Sequence, residues 1–422
     1  MSEESKGRGA DPGAPGGDGP RARLVARLAA GEALVAGVMS GTSADGIDVA
    51  LLRPRPDGAG GLRARAVGFE TVPFAPDLAA RLRRLLDDPD ALVGLGEVAR
   101  LDRDLGLAFG DAARRVAAAH GLALDLVGSH GQTLWHHDGR RGGDRGLGAT
   151  LQLGDGDFLA EAAGCAVVAD LRRRDLAVGG EGAPLLAAVD PWLLGVEDDE
   201  RLGVLNLGGY GNLTLLAGRR VVGNLDTGPA GALLDGLARA LLGRARDDDG
   251  AVAATGRVDA ALVEAWLAAP GHGGAPSLGA FLGAPPPRST GRDTYGEPWV
   301  AAHLAATGVR QPADLLATGC AVVAACVART LALPDLAPRR PDTLLLAGGG
   351  LHNRTLVAAL AAALPGVALG STADRGVDPD AREALGFGLL AAAHLLELPV
   401  DPGPTGARRA ALLGKASPAP LG

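Results

Sequence analysis

The chain has few cysteines and few aromatic residues. Of its 422 residues, 3 are cysteines and 3% are aromatic. Cys165, Cys320 and Cys326 lie within apolar segments and lack the spacing of metal ligands, so we expect buried thiols in a reducing compartment. The low aromatic content predicts a core built from alanine, leucine and valine.

Positive charge and long apolar runs are also scarce. Lysine and arginine number 41 against 49 aspartates and glutamates, a formal net charge of −8, which argues against nucleic acid as a partner. The sequence has no run of the ~18 continuous apolar residues that a membrane helix needs. We therefore expect no membrane partner and a cytoplasmic location.

The length predicts two domains between loose ends, because 422 residues exceed the usual size of a single core. Residues 1–33 begin with a stretch rich in Gly, Pro and charge and are expected to be a disordered leader. The Pro-, Gly- and Ala-rich residues 399–422 are expected to be a flexible tail. A charged connector near 197–201 separates an N-terminal lobe, 34–198, from a C-terminal lobe, 199–398. Strand and helix patterns alternate in both lobes, which predicts an α/β fold.

A small-residue turn at 37–48 joins two apolar strands and has the composition of a phosphate loop. Its glycines let the backbone approach an anion, and Ser40, Thr42 and Ser43 add hydroxyl donors. Asp45 and Asp48 add carboxylates, which a phosphate site tolerates best around a divalent metal. The turn is neither a Walker loop nor a dinucleotide fingerprint, since no Gly-Lys-Ser/Thr follows and the chain returns into a strand.

Two further glycine turns follow the first. Residues 205–212 repeat the strand, turn and strand arrangement about half a chain later, which predicts two similar lobes with one phosphate loop each. Residues 346–353 follow a buried strand and precede a helix, where a backbone can pack against a base or ribose.

These three turns in this order resemble the acetate and sugar kinase, Hsp70 and actin superfamily. Within it, the chain resembles the anhydro-N-acetylmuramic acid kinase family. The matching segments fall in the family's order over roughly residues 35–398. They are 37–48, 128–136, 169–175 with 179–185, 205–214, 226–229, 289–292 and 347–353.

The resemblance implies a two-lobed actin-like ATPase fold, with ribonuclease H-like mixed sheets flanked by helices and an interdomain cleft. It also implies a reaction in cell-wall (murein) recycling. Water attacks C1 of 1,6-anhydro-N-acetylmuramic acid as the C1–O6 bond breaks, and O6 takes the γ-phosphoryl group of ATP. The expected cofactors are ATP and Mg²⁺, and the expected assembly is a homodimer. The alternatives are a kinase of the same fold acting on another sugar or acid, or a non-catalytic sugar sensor.

Asp175 is the candidate catalytic base. It follows three arginines just after a buried strand, where a carboxylate can enter a cleft while the arginines balance its charge. The pattern alone fits an ordinary surface Arg/Asp pair equally well. The resemblance implies the catalytic role.

Two aspartates are candidate metal ligands. Asp45 lies in the first turn, and its alternative role is to cap that turn. Asp226 begins an Asp-Thr-Gly-Pro motif, and its alternative role is to place a carboxylate before the N-terminus of a helix. His136, His137 and Asp138 lack a fourth ligand at suitable spacing and are expected to form a polar loop.

The resemblance implies that sugar is bound by His130, Gln132, Arg172 and Glu383. A satisfied core histidine is the alternative for His130, and a solvated helical residue is the alternative for Glu383. A hydrolase triad around His130 is disfavoured, because neither Ser40 nor Ser129 lies in a Gly-x-Ser-x-Gly turn.

The nucleotide is expected to contact all three turns. In the third turn, His352 and Asn353 are expected near the adenine, although Asn353 is also suited to cap the next helix. The candidate residues are Gly41, Thr42, Ser43, Ala44, Asp45, Gly46, Ile47, Asp48, Asn206, Gly208, Gly209, Gly348, Gly349, Gly350 and Asn353.

The sequence departs from the family pattern at Ala44, Glu181, Gly231 and Arg288. The usual residues there are leucine, glutamine, asparagine and lysine. The changes at Glu181 and Gly231 alter polar groups beside an expected pocket. We therefore expect them to affect substrate affinity or substrate preference.

Overall fold

The computed structural model describes residues 19–41, 44, 46–87, 92–137, 148–286, 288–308, 310–401, 403 and 406–421. The first half of the described chain contains these elements: α1 Pro20–Ala30, β1 Val35–Ser40, β2 Gly46–Pro56, β3 Leu62–Pro73, α2 Pro76–Asp87, α3 Leu95–Ala119, β4 Leu126–His137, β5 Ala149–Leu153, α4 Gly156–Ala163, β6 Ala166–Ala169, α5 Arg172–Ala177 and α6 Asp190–Leu193. The second half contains β7 Arg201–Leu207, β8 Tyr210–Ala217, β9 Arg220–Pro229, α7 Gly231–Leu242, α8 Ala260–Ala268, α9 Leu278–Gly283, α10 Arg292–Tyr295, α11 Glu297–Thr307, α12 Pro312–Leu331, β10 Thr343–Ala347, α13 Arg354–Ala363, β11 Ala368–Ser371, α14 Arg382–Leu395 and β12 Lys415–Ser417.

The described strands form two sheets that share one topology. The first sheet has the order β3-β2-β1-β4-β6-β12, with β5 paired to β4. Its strands β1, β2 and β3 are antiparallel, while β1, β4 and β6 run parallel. The second sheet, β9-β8-β7-β10-β11, repeats this pattern of two antiparallel pairs followed by two parallel pairs. This duplicated ribonuclease H-like arrangement confirms the predicted α/β fold class.

The first glycine turn is anchored by a fully buried strand. All six residues of β1 are buried, and α3 covers one face of the sheet while α14 covers the other. At Gly37 a Cβ atom would lie 1.6 Å from the Ala384 carbonyl oxygen. Only glycine permits this approach of α14, which fixes the end of β1 and the turn that follows it.

The second lobe has a core of leucines around α12 and the second sheet. It also buries Trp266, Tyr295 and Trp299, so the expected aliphatic core is supplemented there by an aromatic group. Helix α12 is the one described helix that is long and apolar enough to cross a membrane, and 72% of its apolar window is buried inside the protein. That burial is typical of a core helix.

The chain returns to the first lobe at its end, which differs from the expected division at 34–198 and 199–398. Helix α14 packs on β1, β2 and β4, and β12 pairs with β6. The expected flexible tail, 399–422, therefore contributes a strand to the first sheet and buries Val400, Ala411 and Leu413. The described part of the expected leader, 1–33, likewise forms α1, whose Leu28 is buried in the first lobe.

Candidate active site

The first glycine turn joins β1 to β2 at the end of the first sheet. The Gly41 carbonyl accepts a hydrogen bond from Gln132 Nε2 at 3.3 Å, so the adjacent strand β4 contributes a candidate sugar residue to the same edge. Ala44 is fully buried with a φ of 53°, a left-handed conformation that a small side chain tolerates better than leucine. The candidates Thr42, Ser43 and Asp45 lie outside the described residues.

The second glycine turn is folded against the start of α7. The Gly208 carbonyl accepts from the amide of Gly231, and the Gly209 carbonyl accepts from the amides of Ala230 and Ala232. A Cβ at Gly231 would lie 2.9 Å from the Gly208 oxygen. Glycine in place of the family's asparagine therefore lets the helix approach the turn closely.

The third glycine turn packs on the second. Gly348 has a φ of +77°, and a Cβ there would lie 2.5 Å from Asn206 Oδ1. Any side chain at Gly348 would be strained and would displace Asn206. Asn353 caps α13, because its Oδ1 accepts from the Leu356 amide at 2.9 Å. The capping alternative is confirmed, and contact with nucleotide remains a prediction.

Asp175 is fully buried on α5. Its Oδ2 accepts a hydrogen bond from the Gly182 amide at 2.7 Å. The alternative of an exposed Arg/Asp surface pair is wrong, since the side chain has 0% exposure. The backbone of 179–185 thus holds a carboxylate in the protein interior.

His130 is neutral and holds Arg172 in place. Its Nε2 accepts from Arg172 Nε at 2.8 Å, and its Nδ1 donates to the Gly131 carbonyl at 3.0 Å. These partners assign the proton to Nδ1. Burial, and next the Arg172 charge, hold the His130 pKa well below its usual value. The ring also packs 4.6 Å from the Phe387 ring centroid, so the residue is at once a satisfied core histidine and a support for Arg172.

Arg172 lies at the electrostatic centre of the site. Its Nη1 donates to the Gly182 carbonyl at 2.8 Å. Desolvation lowers its pKa to about 10, while the charges of Glu383, Asp226 and Asp175 oppose that shift. Carboxylates from both lobes therefore lie within electrostatic range of one guanidinium, which relates four of the predicted site residues to each other.

Glu383 is a half-buried residue of the first turn of α14 rather than a solvated helical glutamate. Its Oε1 accepts from Asn206 Nδ2 at 2.9 Å. Burial raises the Glu383 pKa, and the Arg382 and Arg172 charges oppose this effect while Asp48 adds to it. The hydrogen bond joins a candidate sugar residue to the second phosphate turn.

Asp226 lies within strand β9, not immediately before a helix. Its Oδ1 accepts from Asn212 Nδ2 at 3.1 Å, and its Oδ2 accepts from the Thr290 amide at 2.8 Å. Arg288 fixes this arrangement. Its Nε donates to the Asp226 carbonyl, and its own carbonyl accepts from the Asp226 amide. Its Nη2 also donates to Thr330 Oγ1 at 2.5 Å. Arginine at 288 thus replaces the family's lysine as a buried anchor.

The donor set at this edge fits Mg²⁺. Asp226 bonds Asn212 of the second glycine turn, and Asp48 lies at the start of β2, just after the first glycine turn. Both carry hard carboxylate oxygens, and Mg²⁺ is typically held by one or two carboxylates together with nucleotide phosphates. Among the described residues no group of three His, Cys, Asp or Glu side chains forms a ready-made metal site. His136 and His137 are the last residues of strand β4 and pair with β5, so the expected polar loop is wrong at these two positions. The His136 Nδ1 atom bonds Thr150 Oγ1 at 3.1 Å; Asp138 lies outside the described residues.

Sequence reasoning missed two supporting contacts. One is the Arg288 anchor of Asp226. The other is a buried ion pair between Asp190 and Arg382, beside Glu383. Asp190 and Arg382 are 192 residues apart in the sequence, and no local pattern links them.

Comparison with known proteins agrees with this geometry. The sequence pattern of the anhydro-N-acetylmuramic acid kinase family matches residues 33–419. Curated relatives of that name include one from Xanthomonas campestris, 44% identical over 92% of this chain and 97% of its own length. Another, from Streptomyces coelicolor, is 41% identical over 91% of this chain and 93% of its own length. A third, from Synechococcus elongatus, is 39% identical over 90% of this chain and 98% of its own length.

Solved structures give only distant likenesses. The activator of a 2-hydroxyisocaproyl-CoA dehydratase from Clostridium difficile aligns with a TM-score of 0.40 at 13% identity, over 86% of this chain and 96% of its own. A ROK hexokinase from Thermus thermophilus aligns with a TM-score of 0.36 at 17% identity, over 86% and 99%. The family match, by contrast, covers nearly the whole chain. This protein belongs to the anhydro-N-acetylmuramic acid kinase family.

Proposed function

We propose that the protein is an ATP-dependent kinase that opens 1,6-anhydro-N-acetylmuramic acid by hydrolysis and phosphorylates O6, giving N-acetylmuramate 6-phosphate and ADP in murein recycling. The observation that supports this most strongly is the group of Asp175, Glu383 and Asp226 around Arg172. It relates a candidate base, a candidate sugar ligand and a candidate metal ligand to one guanidinium.

Asp175 is suited to act as the base. A buried carboxylate fixed by the Gly182 amide can take a proton from water as the water attacks C1. The C1–O6 bond then breaks, its electron pair stays on O6, and O6 attacks the γ-phosphorus while ADP leaves. Arg172, held by His130 and the Gly182 carbonyl, supplies a positive charge for the anionic sugar.

The glycine turns are suited to hold the nucleotide. Gly208, Gly209, Gly349 and Gly350 are at least partly exposed, and their backbone is suited to offer amide donors to phosphates. Asp226 and Asp48, with Asp45, would hold Mg²⁺, which when bound neutralises charge on the transferring phosphoryl group.

Three further assignments accompany this proposal. A cytoplasmic location and the lack of a membrane partner are supported by the burial of α12. The absence of a nucleic-acid partner is supported by the net charge of −8. A homodimer is supported by the family resemblance alone.

The direct test is ADP release against a panel of amino sugars. We expect turnover with the 1,6-anhydro sugar and little with open N-acetylmuramic acid. In the proposed reaction the attacking O6 is released by breaking the C1–O6 bond, and the open sugar has no such bond. Turnover with the open sugar alone would indicate an ordinary kinase. Sugar binding without ADP release from any member of the panel would indicate a sensor.

A further inference from the structure

Asp190 and Arg382 form an ion pair that is removed from solvent. Their side chains are 1% and 3% exposed. Arg382 donates from Nε to Asp190 Oδ1 at 3.0 Å, and from Nη2 to Oδ1 at 2.7 Å and Oδ2 at 2.5 Å. Burying two charges costs desolvation energy that their attraction does no more than offset, so such a pair is weak evidence for added stability. Its location points to a different role.

The pair joins the two segments that carry the sugar-side groups. Asp190 begins α6 and follows the 179–185 segment, whose Gly182 contacts both Asp175 and Arg172. Arg382 begins α14, and the next residue is Glu383. The pair therefore ties the first turn of α14 to the segment that holds the candidate base.

We propose that Asp190 and Arg382 are positioning residues that hold the Glu383 carboxylate between Asn206 and Arg172. The effect expected on turnover rests on the proposed function. One further contact and two nearby charges surround the position that is held. Asn206 donates to Glu383 at 2.9 Å from the second lobe, the Arg172 charge acts from α5, and the Asp48 charge acts from β2.

A charge effect follows from the same arrangement. Arg382 and Arg172 favour the ionised form of Glu383, whereas burial and Asp48 favour the protonated form. Removing Arg382 takes away one of the two opposing positive charges, so the Glu383 pKa should rise further. If ionised Glu383 is needed for turnover, activity should then be lost at a higher pH on the acid side.

The test uses the full-length double variant Asp190→Leu/Arg382→Met, which replaces both charges with apolar side chains of similar size. We expect a melting temperature close to that of the wild type and unchanged ATP affinity. We also expect kcat for the anhydro sugar to fall by about ten- to hundredfold, as for a misplaced active-site group, and the acid limb of the pH profile to move to higher pH. Arg382→Lys, which keeps the charge, should leave the acid limb in place.

A matched control is the exposed pair Glu264 and Arg329, joined at 2.6 Å with side chains 67% and 43% exposed. The double variant Glu264→Gln/Arg329→Gln should leave kcat and the pH profile unchanged. If the Asp190/Arg382 double variant also retains the wild-type kcat and pH profile, the positioning role is wrong.

The crystal structure of the double variant separates this inference from the proposed function. If wild-type protein does not turn over the anhydro sugar, the proposed function fails. The inference is then judged by the Glu383 Oε1 to Asn206 Nδ2 contact: its loss would support the positioning role and its retention would overturn it. If the apolar double variant does not fold, Asp190→Asn/Arg382→Gln replaces it under the same criteria.

Discussion

Asn206 donates a hydrogen bond from Nδ2 to Glu383 Oε1 at 2.9 Å, and this contact crosses from one lobe to the other. Asn206 lies near the end of β7 in the second sheet, next to the second phosphate turn. Glu383 lies on α14, which packs on the first sheet. The contact therefore links the second glycine turn to the helix that carries Glu383, the candidate sugar ligand.

Replacing Asn206 with aspartate should move the acid limb of the pH–rate profile to higher pH. A second carboxylate beside Glu383 favours the protonated form, and burial already raises the Glu383 pKa. If turnover requires ionised Glu383, the active fraction of the enzyme at any given pH falls as the Glu383 pKa rises, and the acid limb moves to higher pH. Asn206→Ala is the matched control, since it removes the hydrogen bond without adding charge. An identical acid limb in Asn206→Asp and Asn206→Ala would contradict the prediction.

Gly349→Ala should weaken ATP binding without lowering stability. A Cβ at Gly349 would meet nothing within 4 Å in the protein, so any loss of affinity must come from the nucleotide itself. We expect a rise in Kd by calorimetry and an unchanged melting temperature. Gly283→Ala, which also places its Cβ in open space, serves as the control and should bind ATP normally. Unchanged affinity in Gly349→Ala would remove the third turn from the nucleotide site.

Asp175→Asn should lower kcat by ~100-fold or more while ATP affinity persists. Asparagine retains an oxygen that can accept from the Gly182 amide, but it cannot take a proton from water. Steady-state kinetics and nucleotide calorimetry on the same preparation check both halves of the prediction. Near-normal turnover would reduce Asp175 to a structural acceptor for the 179–185 segment.

His130→Gln should retain the pH profile of the wild type. The buried imidazole has a pKa well below its usual value, so it stays neutral through the neutral pH range and contributes no titration there. Glutamine offers an oxygen in place of Nε2 to accept from Arg172. In His130→Leu, which offers no acceptor, KM for the sugar should rise because Arg172 is released. A limb of the profile that disappears in His130→Gln would show that the histidine does titrate.

The glycine turns could be predicted because their signal is local. A buried strand, a run of glycine and hydroxyl residues and a second strand specify a turn within a dozen residues, and both such turns lie at the predicted places. The duplicated fold followed from the same two signals, since equal strand pairs half a chain apart imply equal lobes.

Contacts between distant segments could not be predicted in this way. The alanine-rich pattern of α14 shows that the helix is buried but not which sheet it covers. That choice is made by the close approach of Gly37 to Ala384 and of Gly388 to β1. The Asp190–Arg382 pair has no local signal either, because charge and spacing within one element do not identify a partner on another. Position 226 illustrates the same limit: the motif singled out the carboxylate, but Arg288 and Thr290, which fix it, come from a loop more than sixty residues away.

The proposed function requires that hydrolysis of the anhydro bridge and phosphoryl transfer occur in one coupled reaction. Turnover of the 1,6-anhydro sugar in ¹⁸O-labelled water, with rapid quenching before the free anomeric hydroxyl exchanges, tests it directly. The label should appear on the anomeric oxygen of the phosphorylated sugar and be absent from the phosphoryl group, because O6 rather than water attacks phosphorus. A phosphorylated product that retains the anhydro bridge, or label in inorganic phosphate with the sugar unchanged, would contradict the account.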